Sequence, residues 1–450
     1  MKKYLEAFRL AWPLALGMAN NAVMQFVDRV FLAKESTASL EAVLPAAIVA
    51  SVFVCFFQSA VAYSGTFVAQ FHGAGDSVGE RRSFFGGLWL TLASAVCLWC
   101  LIPVGGWVFN LAGHAPEIVV REKSYYDVVM AGGFALCGQM AASGYFTGRG
   151  QTRLVFAVNL AGNALNVLLD WVLIFGCGPV PACGIAGAAW ATVLAQLFQM
   201  AVLCLLAARS CRAEARRDAR AWRSASDEDA RSLFFKMIRY GVPAGVYAAL
   251  NLLSFAIFVL ITGKVGDLAF AVSNAAFTVN YLLIAPIEGF AVAGGILVGQ
   301  NMGADDPREA GRAGNRIVAL SLLYVVVASA FVLAFNRPIL DLFLSDASDA
   351  AAFHELGFSL FALMVAWQCF DTVDVVLSGT LKGAGDTHFV MVWMLVCAFG
   401  AWLPLVFAVY AWRPTMPALW GTMVAYVALM FAGTVWRWLW GPWRKIRLIA

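Results

Sequence analysis

The sequence predicts an all-α polytopic membrane protein, with twelve transmembrane helices in two six-helix lobes related by a parallel internal repeat. Composition comes first. Of 450 residues, 62% are apolar and 13% charged, where a soluble chain has about 45–50% and about 25%. So few charges cannot cover a soluble surface of this size. Disorder, nucleic-acid binding and a secreted disulfide scaffold are therefore excluded for the chain as a whole. Apolar stretches long enough to cross a bilayer, which takes about 20 residues, recur along the whole length. Finally, the second half of the chain repeats the first.

The first half holds apolar stretches at 8–32, 42–71, 84–109, 124–147, 153–175 and 183–207; the second holds them at 233–262, 268–302, 312–335, 354–381, 387–412 and 417–440. These are spans 1 to 12. With no water in the hydrocarbon, each must close its own backbone hydrogen bonds as a helix, and no two-residue alternation suggests a barrel. The longer stretches are tilted, bent or extend past the bilayer. The start, MKKYLEAFRLAWPLALG, runs on past a signal-peptide core without a small-residue cleavage site, so span 1 is expected to be retained. The expected organisation is a lobe at 1–207, a basic linker at 208–232, a second lobe at 233–440 and a tail at 441–450.

Lysine and arginine orient the bundle. With the N-terminus inside, 24 of them fall in inside segments and 6 in outside ones. That bias places both termini in the cytoplasm of a cell-membrane protein. The densest basic stretch, SCRAEARRDARAWRSASDEDARS at 210–232, reads as a solvated connector near anionic head groups.

The duplication is explicit. Pro13 recurs as Pro243, Asn21 as Asn251 and Lys34 as Lys264, and FVAQFHGAGD at 67–76 recurs as LVGQNMGADD at 297–306, all 230 residues on. GRGQT at 148–152 matches GAGDT at 383–387, 235 residues on. Two six-span units that both start inside are parallel repeats about an axis along the membrane normal, an architecture that suits a rocking transporter.

The motifs VAQFHGAGD, VGQNMGADD, GRGQT and LKGAGDT, with Pro13 and FVDRVFLAK on span 1 and NLAGNALNVLLDWVLIFG on span 5, resemble the multidrug and toxic compound extrusion (MATE) family, most closely its DinF-like branch. The resemblance runs across all twelve spans. It implies a cation-coupled (H+ or Na+) secondary antiporter that exports organic, cationic or amphiphilic compounds by alternating access. It also implies a cation site in the N-terminal lobe at Asp28, Asn166, Asp170 and Thr192, an acid on span 10 at Asp371, and a bend of span 1 at Pro13. Where another branch has a carboxylate on span 7, this chain has Asn251. The alternatives are a lipid-linked oligosaccharide flippase of the same superfamily, which would want basic residues inside, and a major facilitator transporter, whose loop GAGDSVGERR at 73–82 only partly resembles.

The residues themselves point the same way. A charge in the bilayer costs about 2.5–3.5 kcal/mol or more and marks a functional candidate. The deep acids are Asp28, Asp170, Glu288, Asp371 and Asp374, with Arg29 the one deep base. By the repeat, Asp28 falls on Phe258, Asp371 on Leu136 and Asp374 on Gln139, so the duplicated scaffold does not require these acids. Asn159, Asn163, Asn166 and Asp170 share one face of span 5 through spacings of 4, 3 and 4. That stripe either lines a cation site or acts as hydrogen-bond glue between helices. Asn21, Asn163 and Asn251 are expected to line the substrate cavity. Pro13 either kinks span 1 or starts it. Arg29 either snorkels to the interface or pairs with Asp28.

Other chemistry finds no support. The four histidines form no ligand pair, so no metal site is expected. With no phosphate-binding loop, ATP is not the energy source. No nucleophile–base arrangement is present, so the chain is not expected to be an enzyme. The expected partners are organic cations or drugs and the bilayer, with no nucleic acid, no cofactor and a monomeric state. Among ten cysteines, Cys177 and Cys183 flank one short loop and leave a disulfide open. The aromatics Phe26, Phe255 and Trp367 fall mid-span, where they serve either packing or stacking on flat cations.

Overall fold

The structure is a computed structural model that describes residues 2–35, 37–111, 115–179, 181–217, 227–344 and 350–449. Residues 218–226 of the basic linker and His114 lie outside the described residues, and so does the side chain of Arg29. The described chain is helical almost throughout. Its elements are α1 (Lys2–Glu35), α2 (Thr37–Ala62), α3 (Ser64–Ala74), α4 (Ser77–Leu111), α5 (Pro116–Gly148), α6 (Thr152–Phe175) and α7 (Gly184–Arg217) in the first half. The second half has α8 (Asp227–Thr262), α9 (Asp267–Gly303), α10 (Pro307–Ala334), α11 (Asn336–Asp341), α12 (Ala350–Ala384), α13 (Thr387–Leu395), α14 (Leu403–Trp412) and α15 (Met416–Trp440).

Ten of these stretches are apolar and long enough to cross a membrane among the described residues. α1 and α5 are 34 and 33 residues long but more polar. Two spans are broken: α2 and α3 form one span around Tyr63, and α13 and α14 form one span around a π-helical segment, Val396–Trp402. α7 and α8 run on into the linker, so most of its described residues are helical.

The sequence motifs are turns between helices. In each, a residue with positive φ ends one helix: Gly75 (72°), Gly150 (77°), Asp305 (57°) and Gly385 (102°). The next residue starts another; Asp76 accepts the backbone N–H groups of Val78 (3.0 Å) and Gly79 (2.9 Å) as an N-cap.

The motif glycines also let helices cross backbone to backbone. A Cβ on Gly73 would strike the Gln300 carbonyl, and one on its repeat mate Gly303 would strike that of Gln70. The crossing is thus reciprocal between the two copies of one motif. Small residues of this kind are what allow close helix packing where lipid offers no hydrophobic drive.

By internal packing the chain forms two compact units. One comprises Met1–Met18, Leu250–Val298 and Pro307–Ile446, and the other Ala19–Ala249, Gly299–Asp306 and Arg447–Ala450. α1 is therefore divided between units at Met18/Ala19, and α8 at Ala249/Leu250. Pro13 lies inside a helix that begins at Lys2, which removes the helix-start reading; it deletes one backbone hydrogen bond in the turn before this division.

Candidate functional site

The polar face of α6 is read by its neighbours in three tiers. Asn159 accepts a hydrogen bond from Gln139 Nε2 on α5 at 3.1 Å. One turn on, Asn163 donates to Asn21 Oδ1 on α1 (2.8 Å) and accepts from Gln199 Nε2 on α7 (3.3 Å). Next come Asn166 and Asp170, both 0% exposed. In the amide orientation that satisfies both of its ends, Asn166 donates to Asp28 Oδ1 (3.1 Å) and Asp170 Oδ2 (3.3 Å). Its carbonyl accepts the Thr192 backbone N–H at 3.2 Å.

Asp28 and Asp170 thus meet at one amide. The remaining Asp170 oxygen, Oδ1, is buried without a hydrogen-bond partner. Asn159 and Asn163 are interhelical glue, whereas Asn166 and Asp170 meet Asp28 beside an acceptor with no partner.

Asp28, Asn166, Asp170 and Thr192 thus come together in one unit. Thr192 takes part through its backbone, since its hydroxyl donates to the Ala188 carbonyl at 3.1 Å. Asn21 and Asn163 are bonded to each other. Asn251 is exposed and lies in the other unit. Gln139 and Gln199 were not among the expected site residues. A signal for Gln199 exists: it follows Thr192 by seven residues, two helical turns, on the same face of α7.

Asp371, Asp374 and Glu288 form a second group in the other unit. Asp374 is buried and accepts a hydrogen bond from the Thr434 hydroxyl on α15. Asp371 is part-buried and Glu288 exposed. Lys382 on α12 lies within electrostatic range of Asp374 and Glu288, and Glu288 within range of Asp371. The second group thus has a lysine beside it.

The mid-span aromatics divide. Trp367 lies tilted against Trp420 (5.0 Å between ring centroids) in the core, Phe255 meets Phe277 edge to face (5.1 Å) at the margin of that core, and Phe26 is 59% exposed. Cys177 and Cys183 are free thiols. Among the described residues no group of His, Cys, Asp and Glu is arranged to hold a metal ion.

Comparison with known proteins decides the family. The MatE family model matches residues 13–172 and 243–408, one copy on each half of the repeat. The chain belongs to the MATE family. A multidrug resistance protein of Pseudomonas aeruginosa, PmpM, is 26% identical over 430 residues, covering 93% of this chain and 87% of that one. A probable multidrug resistance protein NorM of Deinococcus radiodurans is 31% identical over 338 residues, 73% of this chain and 71% of its own. Solved structures share the MATE fold. A MOP superfamily transporter of Pyrococcus furiosus superposes with a TM-score of 0.83 at 20% identity, over 99% of this chain and 97% of that one. An outward-facing multidrug resistance MATE transporter superposes with a TM-score of 0.82 at 20% identity, over 98% and 95%.

Proposed function

We propose that this chain is a proton-coupled exporter of organic cations, with both termini in the cytoplasm of a cell membrane. Asp28 and Asp170 carry the coupling proton. The observation that carries the reading is the pair of carboxyls bridged by Asn166, with Asp170 fully buried and Asp28 part-buried. The Oδ1 of Asp170 has no hydrogen-bond partner, and that is where a proton would go. Proton binding discharges the pocket, and discharge has differential affinity for the outward and inward states, which is what coupling requires. The relatives are named for multidrug resistance, which supports drugs as the cargo, and an interior whose lone ionisable side chains are mostly acidic favours a positive cargo.

The Asn166 amide favours H+ over Na+. Its NH2 faces the carboxylates and its oxygen is engaged by Thr192 N–H. A sodium ion wants that oxygen turned inward with the acids, at the cost of the Thr192 bond. Within the second lobe the acids have a lysine, Lys382, for a neighbour, which supports placing the coupling in the first lobe.

The test is uptake of a fluorescent organic cation into proteoliposomes under an imposed pH gradient or an imposed Na+ gradient. Drive by the pH gradient alone, lost in Asp170→Asn and kept in Asp371→Asn, is the expected result. Drive by Na+ alone, or loss confined to Asp371→Asn, overturns the reading.

A further inference from the structure

A groove of about 890 Å³ lies between α4 and the start of α8, both in the same unit. Its volume is near the top of the ~300–1,000 Å³ range of ligand sites. Two arginines, Arg82 on α4 and Arg231 on α8, stand at one end. From there the wall is apolar, running through Phe85, Trp89 and Phe234 to Val96. Trp89 is 65% exposed. Gly86 opens the floor: a Cβ there would meet Met237 Sδ at 2.8 Å.

The axial order is what identifies the occupant. Arg82 and Val96 are about 21 Å apart along a helix rising about 1.5 Å per residue. One leaflet of a hydrocarbon core about 30 Å thick accounts for about 15 Å of that, and the head-group zone for the rest. The arginines fall at the membrane face that also carries the basic linker, the face the lysine and arginine distribution places inside. Arg82 Nη1 is held 3.5 Å from Asp229 Oδ2, with Asp229 itself 67% exposed. Arg231 lies over the Phe235 ring, 6.0 Å from its centroid. A phosphate can therefore reach the exposed Arg231 directly and compete with Asp229 for Arg82.

We propose that this groove binds an anionic phospholipid of the cytoplasmic leaflet. Its phosphate sits on Arg231 and Arg82, and its acyl chains lie along Phe85, Trp89 and Val96. The inference rests on the proposed orientation but not on the coupling reading, so either can fail alone.

The experiment uses the full chain in proteoliposomes with a photo-crosslinkable phosphatidylglycerol or the matching phosphatidylcholine, and maps adducts by mass spectrometry. The expected result is adducts on residues 85–96 and 231–238, several-fold more from phosphatidylglycerol. Arg231→Gln, an exposed substitution that leaves the bundle intact, lowers them about fivefold, the usual worth of one basic residue at an anionic surface. Asp229→Asn, which removes a competing carboxylate from beside Arg82, raises them. Equal labelling by the two lipids, adducts elsewhere on the bundle, or labelling indifferent to both substitutions overturns the proposal. A drug that displaces the lipid would reassign the groove as an entry port for cargo, and that also overturns it.

Discussion

The acid pocket of the first lobe has an equivalent in the second, and the two are built from opposite chemistry. By the repeat, Asp28 corresponds to Phe258, Asn166 to Ala401, Asp170 to Leu405 and Thr192 to Val427. The second-lobe positions close into an aromatic core. Phe258 is 0% exposed and lies against Trp402 at 5.3 Å, and Trp402 Nε1 donates to the Thr422 hydroxyl at 3.2 Å. The π-helical segment Val396–Trp402 falls on the stretch where α6 carries Asn163 and Asn166. One scaffold thus holds a charge-bearing pocket in one copy and a sealed core in the other. A packed bundle does not need the acids, since its twin stands without them.

Substitutions in either copy test this contrast. Asp170→Asn should reduce proton-driven uptake roughly a hundredfold or more, because it removes the group whose charge separates the two states; uptake at wild-type rate would show that the pocket is only structural. Phe258→Asp, the reverse transplant, should destabilise the protein by several kcal/mol. It opens a cavity in an aromatic core and puts an unpartnered carboxyl there. Thermal unfolding in detergent measures it, and an unchanged midpoint would mean that the second lobe tolerates an acid as readily as the first.

Trp402→Ala should cost about 3–5 kcal/mol by the same assay, and Asn163→Ala only about 0.6–1.7 kcal/mol, since interhelical hydrogen bonds in membranes are individually weak. The reverse ranking would make the asparagine ladder the main brace of the first lobe. Thr192→Ala should change uptake less than about threefold, because the backbone N–H that holds Asn166 survives the substitution. A collapse of activity would restore the hydroxyl to the site.

How far the residues alone led can be judged from particular positions. Asp28, Asn166 and Asp170 were legible because a charge in hydrocarbon is costly and because spacings of 3 and 4 align side chains on a helix. Pro13 was legible as a break in bonding, but its depth in α1 was not, because an apolar run does not show where a helix begins. Gln139 and Gln199 were passed over, since an amide in a span signals little until its neighbour is known. Lys382 reads from the sequence as an inside-face residue of a turn motif, and only folding brings it near Glu288.

The chain by itself determined the twelve spans, their duplication and the short list of acids. Each of those follows from the local cost of putting polar groups or unpaired backbone into lipid. Only the tertiary structure decided that Asn163 braces while Asn166 bridges, that Trp367 is core, and that two arginines crown one apolar groove. Those outcomes depend on how each helix is rotated about its axis and on which helix lies beside it. Such choices are made by packing between segments hundreds of residues apart, and no single stretch of sequence encodes them.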